Sequence, residues 1–127
     1  MKPLHLALGV VLCATFAPDA SGADDKRFCG EAKMERDFLD CLKKLDASQL
    51  REIADLDKKI RKMGDGPGFA KLADQSSRVW KAFRNAECDV KTFESRTGSG
   101  YSSILTYCLV EMNAARLVVL QERADSP

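Results

Sequence analysis

The sequence predicts an all-α fold, a small antiparallel bundle of three to four helices stapled by two disulfides. Three observations predict it. Apolar residues recur at steps of three and four along nearly the whole chain beyond residue 30, the periodicity of amphipathic helices. No alternation of apolar and polar residues persists for the length of a strand. Four cysteines, Cys29, Cys41, Cys88 and Cys108, remain once an export leader is set aside, an even number that suits two bridges.

The leader spans residues 1–23. Lys2 supplies a positive start, Leu4 to Ala17 is almost wholly apolar, and Ala20-Ser21-Gly22-Ala23 offers small residues for cleavage. Its apolar run of about 14 residues falls short of the roughly 20 that cross a bilayer, so no retained membrane anchor is expected. Cys13 follows bulky Leu12 where a lipoprotein leader needs a small residue, and it is discarded with the leader. A single domain, residues 24–127, is left. A core from about 100 residues is marginal, and each disulfide adds roughly 2–4 kcal/mol.

The first helix runs from Glu31, with Met34, Phe38, Leu42 and Leu45 on one stripe. Asp46 and Gln49 have the spacing of a capping box, with Leu45 and Leu50 placed as a hydrophobic staple, so a break is expected near Asp46; one bent helix is the alternative. Leu50, Ile53, Leu56, Ile60 and Met63 form the next stripe, flanked by charged residues that include Asp55 and Asp57. Three glycines and a proline in Gly64 to Gly68 make a turn. From Phe69 to Val90 a further helix is expected to bury Phe69, Leu72, Ser76, Val79, Trp80, Phe83 and Ala86. A polar link from Thr92 to Gly100 leads to the last helix, Tyr101 to Glu122. Its stripe is Tyr101, Leu105, Cys108, Met112, Ala115 and Val119, widened by Ile104, Leu109 and Leu120. Short links make neighbouring helices antiparallel.

Cys88 near the end of one helix and Cys108 two turns into the next meet naturally in such a hairpin. Cys29 and Cys41, twelve residues apart, would be separated by roughly 18 Å along an unbroken helix, too far to bridge. Their pairing requires Cys29 to lie before the helix on a segment folded back, with Gly30 as a candidate bend. The expected bridges are therefore Cys29–Cys41 and Cys88–Cys108.

Composition narrows the chemistry. His5 is the only histidine and lies in the leader, which removes the usual base for a serine or cysteine nucleophile and a common zinc ligand. No C-x-x-C pair occurs, so no metal site and no cofactor are expected. Asp55 and Asp57 share an exposed helix face and do not converge as an acid pair would. With 20 Lys+Arg against 19 Asp+Glu, the net charge of +1 provides no basic stripe for nucleic acid. The chain is expected not to be an enzyme.

One segment is more specific. Arg78-Val79-Trp80-Lys81-Ala82-Phe83-Arg84-Asn85-Ala86-Glu87-Cys88 is followed by Cys108-Leu109, Glu111, Arg116 and Leu120. These residues resemble the Q-R-x-W-x-x-Y/F-R-D-A-x-C and C-L-x-E-x-T-x-x-R-x-x-x-L patterns of the LprI-like lysozyme-inhibitor family. Cys29, Glu35 and Cys41 are compatible with its first cysteine pair. Ser77, Asn85 and Asn113 depart from the family's Gln, Asp and Thr. The resemblance implies a periplasmic or secreted binding protein that blocks lysozyme or another cell-wall glycosidase by occluding its cleft. The alternative is an envelope interaction or stress-related module without glycosidase inhibition. Trp80, Arg84 and Arg116 are expected to serve the fold, with Trp80 a core anchor and Arg84 paired to Glu111 or Glu87. Lys91 and Arg96, in or beside a link that can protrude, are the candidate contacts to a partner's carboxylates.

Overall fold

A computed structural model describes residues 27–126. The expected leader, residues 1–23, lies outside them. Three long helices follow one another: α1 (Glu35–Arg61), α2 (Gly66–Lys91) and α3 (Tyr101–Asp125), with a 3-10 turn at Phe93–Ser95. There is no strand among the described residues. Both expected disulfides form, Cys29–Cys41 with Cα atoms 6.0 Å apart and Cys88–Cys108 at 5.7 Å.

Helix α1 is continuous through Asp46, so the expected break does not occur. Leu42, Gln49, Ile53 and Ile60 form one buried stripe across it. The Asp46 carboxylate does not turn back to cap its own helix; it points across the bundle to α3. Glu35 and Asp37 in the first turn and Lys58, Lys59 and Arg61 in the last oppose the helix dipole, which favours one long helix. The helix begins at Glu35 and not Glu31, because residues 27–31 form a turn. There Cys29 itself takes the left-handed conformation, φ 58°, and the Ala32 amide donates to its carbonyl at 3.1 Å. The bend that brings Cys29 back to Cys41 is therefore at the cysteine, not at Gly30.

Helix α2 starts earlier than its apolar pattern suggests. Pro67 sits in its first turn, where the missing N–H has no helical partner to lose. Gly66 at φ 81° makes the corner in a conformation that a side chain would strain. A Cβ on Gly64 would collide with the Phe69 ring, so glycine there lets the incoming chain pass close to α2.

Residues paired across the bundle set the topology. Asp46 meets Asn113 and Lys59 meets Asp125, so α1 and α3 run parallel. Arg61 meets Asp74 and Asp46 meets Arg84, so α2 runs antiparallel to both. The core lies mainly along α1 and α3: Ile53, Ile60, Leu120 and Ala124, with Leu50, Leu56, Leu117 and Trp80 against them. Both disulfides lie at the end of the bundle where α1 and α3 begin and α2 stops.

The rotation of two helices differs from the sequence expectation. On α2 only Arg84 and Cys88 are buried, and Trp80 is half-buried; Phe69, Leu72, Ser76, Val79, Phe83 and Ala86 are exposed. On α3 the buried residues are Ser103, Cys108, Val110, Asn113, Leu120 and Ala124, while Ile104, Ala115 and Val119 are exposed. The Cys88–Cys108 bridge and the pairing of Arg84 with Asp46 and Asn113 fix which face of α2 turns inward. Periodicity reveals that a face exists; these anchors choose which one is covered.

Candidate functional site

Residues of the sequence motif meet between the three helices. Arg84 and Arg116 lie with their guanidinium carbons 5.7 and 5.4 Å from the Trp80 ring centroid, a favourable placement of cations over an aromatic face. Their side chains are only 10% and 11% exposed, so their charges need partners. For Arg84, Nη1 donates to the Asn113 carbonyl oxygen at 2.8 Å and lies 3.5 Å from Asp46, and Nε and Nη2 both donate to the Asn85 oxygen. The expected partners Glu111 and Glu87 are not used. Arg84 faces α1, whereas Glu111 is drawn to Lys91 at 3.0 Å.

Asn113 is fully buried and completes this network. Its amide donates to Asp46 at 2.7 Å and to Gln49 at 3.1 Å. Arg116 is held more loosely, 3.8 Å from Asp57, and its Nε is buried without a hydrogen-bond partner. Burial lowers its pKa below the ordinary arginine value; Asp57 opposes that shift and Arg123 adds to it. Asp57 also accepts a 2.6 Å hydrogen bond from Ser77, so it belongs to the interhelical network and not to a solvated face. Asp46, Gln49, Asp57 and Asn113 were not singled out as site residues. Their signal is a polar residue falling in register within an apolar stripe, as Gln49 does between Leu42 and Ile53.

The outward-facing chemistry lies at the disulfide end. A groove of about 560 Å³ opens between the start of α1, the end of α2 and the start of α3. Its walls include Phe38, Lys91, Ser103, Ile104, Tyr107 and Glu111. Tyr107 packs edge-on against Phe28 at 5.6 Å and stacks on Phe38 at 6.3 Å, so the folded-back segment helps to shape this end. The Ser103 hydroxyl is buried there without a hydrogen-bond partner. The four-residue spacing of Ser103, Tyr107 and Glu111 on one helical face is the signal that could have found this wall.

Beside the groove, the link carries Arg96 on its surface. The guanidinium carbon lies 3.5 Å from the Phe93 ring centroid, and both side chains are exposed. Arg96 makes no ion pair among the described residues, whereas Lys91 is engaged by Glu111. Thr92 anchors the base of the link by donating to the Cys88 carbonyl at 2.7 Å. The two candidate contacts are thus separate from the Trp80 network and differ from each other: one cation is paired, the other rides on an aromatic ring. Among the described residues, no cluster of three His, Cys, Asp or Glu side chains is arranged to hold a metal ion.

Fold and geometry define a small three-helix, two-disulfide domain with a buried ionic centre and an open, aromatic-lined end. The family described as lysozyme inhibitor LprI matches residues 29–120, and the chain belongs to that family. It is also similar to an uncharacterized protein of Rhizobium meliloti (strain 1021), 25% identical over 138 aligned positions that cover 99% of this chain and 98% of the relative. No solved structure matches the chain.

Proposed function

We propose that the protein is an exported inhibitor that occludes the cleft of lysozyme or a related cell-wall glycosidase with its disulfide end. The observation that carries this reading is Arg96, an exposed guanidinium stacked on Phe93 and free of any carboxylate among the described residues. Glycosidases of this kind work through two carboxylates in a cleft that must stay open to the glycan. A cation delivered on an aromatic side chain by a short, stapled link suits such a cleft. The guanidinium can offer two parallel N–H donors to a carboxylate, which an ammonium cannot. Lys91, already paired with Glu111, contributes less. Family membership and the two disulfides support export, since such bridges persist in oxidising compartments. The function is binding, with no catalytic role for the chain.

The test is inhibition of lysozyme acting on bacterial cell walls, measured with the purified two-disulfide protein and its Arg96→Ala variant. The wild type slows hydrolysis, and the variant raises the inhibition constant about thirtyfold, the size of an interface hot spot. No slowing at micromolar excess removes this activity for the enzyme tested. Capture of another envelope protein through the same groove would then favour the interaction module.

A further inference from the structure

The apolar stripe of α2 that the sequence marks as core is open to solvent. Leu72, Val79, Phe83 and Val90 are 65%, 60%, 55% and 75% exposed, and Phe69 stands at its start at 37%. Together with Ser76 and Ala86, these residues are spaced alternately by three and four from 69 to 90. That is the 3.5-residue repeat of a coiled-coil seam, sustained for over three heptads, and not the broader stripe of a helix packed into a globular core. The inner face of α2 is a different one, running through Ser77, Trp80, Arg84 and Cys88. Helix α2 therefore has two packing faces, and its own chain covers one.

We propose that the second face is covered by a second copy of this chain, with the two α2 helices antiparallel about a dyad near residue 81. This register sets Leu72 against Val90 of the second copy, Ser76 against Ala86, and Val79 against Phe83, so small residues meet small and large meet large. The flanking charges favour the same arrangement. Lys71 falls beside Asp89 of the second copy, and the dyad repeats the pair. Neither residue has an ion pair among the described residues, and both are exposed. A parallel pairing in register would instead leave Lys71 and Asp89 of the second copy roughly 27 Å apart along the axis, with no such pair. The five large apolar side chains expose on the order of 500 Å² per copy, more than half of the roughly 800 Å² per partner that a standard interface buries. The proposed pairing does not use the Arg96–Phe93 pair or the groove, so its test is separate from that of glycosidase inhibition.

The experiment is sedimentation velocity on the purified two-disulfide protein over a range of concentrations. Wild type is expected to shift from monomer to dimer as concentration rises. Val79→Asp places a charge at a position already exposed in the single chain, so helix content by circular dichroism is retained while the dimer dissociation constant rises about a hundredfold or more. Lys71→Asp and Asp89→Lys each weaken the dimer, and the two together restore it. A wild type that stays monomeric at the highest concentration overturns the proposal, whether or not it binds anionic vesicles instead. So does a Val79→Asp variant that dimerises as tightly as wild type. Failure of the double charge swap to restore association overturns the antiparallel register.

Discussion

Asn113 uses every polar atom of its side chain: its oxygen accepts from Arg84, and its amide donates to Asp46 and Gln49. Asn113→Ala would leave the Gln49 carbonyl and one Arg84 nitrogen without their partner in a site closed to water. Chemical denaturation with the disulfides intact should show a loss of about 2–4 kcal/mol, the scale of a broken buried network. The two motif arginines should then differ. Arg84 makes three hydrogen bonds of 2.8 to 3.1 Å, whereas Arg116 has one ion pair at 3.8 Å and a partnerless Nε. Burial is the leading cause of the lowered Arg116 pKa, so the unfolded chain binds its proton more readily. Stability linked to this group rises with pH only as the arginine titrates, far above neutrality, so at neutral pH its buried charge is a constant burden. Arg84→Met should cost about 2–3 kcal/mol, whereas Arg116→Met should stay within about 1 kcal/mol, because an apolar isostere relieves the desolvation. Equal losses at the two sites in the same denaturation assay would contradict this ranking. Trp80, Arg84 and Arg116 were legible in the sequence as a motif. Their partners were not, because Asp46, Asp57 and Asn113 lie on other helices and nothing local to them reports the meeting.

The α1–α2 connection shows how a composition signal and an element boundary diverge. Three glycines and a proline marked residues 64–68 as a turn, yet Gly66, Pro67 and Gly68 already belong to α2. The three glycines are consequently not equivalent. Gly66 holds φ 81°, so Gly66→Ala should lower stability by about 1 kcal/mol. Gly68 has ordinary helical surroundings with open space where a Cβ would go, so Gly68→Ala should raise stability by about 0.4–1 kcal/mol by restricting the unfolded chain. Thermal unfolding of the two variants should therefore move Tm in opposite directions. The all-helical class, the order of its segments and both disulfide pairings were legible because periodicity and cysteine spacing are local or nearly local quantities. The rotation of α2 was not. Its strongest apolar stripe, from Phe69 to Val90, lies on the exposed side, while the inward face is held by Trp80, Arg84 and Cys88. A hydrophobic pattern cannot separate burial within a chain from burial against another. The same limit hid the break-free course of α1, since the capping-box spacing of Asp46 and Gln49 also suits two polar side chains reaching for α3.

At the scale of the whole molecule, α1 and α3 share the hydrophobic core and α2 is fastened to them. The fastening consists of the Cys88–Cys108 bridge, the Arg84 network and Trp80, which makes the two disulfides unequal. Loop entropy alone hardly distinguishes them. Sequence separations of 12 and 20 predict about 3 kcal/mol for each, differing by about 0.5 kcal/mol. Packing decides the order. Cys88 and Cys108 are both buried and join α2 to α3, whereas Cys29–Cys41 ties down a short segment ahead of α1. Replacing Cys88 and Cys108 with Ala should therefore cost about 1–2 kcal/mol more than replacing Cys29 and Cys41, once the cavity term is added. The character of the loss should also differ. Without Cys88–Cys108, the C-terminal turns of α2 lose their only fully buried side chain, and the Arg84 network and the solvent-facing Lys91–Glu111 pair retain that end. Amide hydrogen exchange should then speed up selectively from about Arg84 to Lys91, while the buried stripes of α1 and α3 remain protected. Without Cys29–Cys41, fast exchange should be confined to the first turns of α1. Uniform acceleration across all three helices in the first variant would show that α2 is an equal member of the core and not an element fastened onto it.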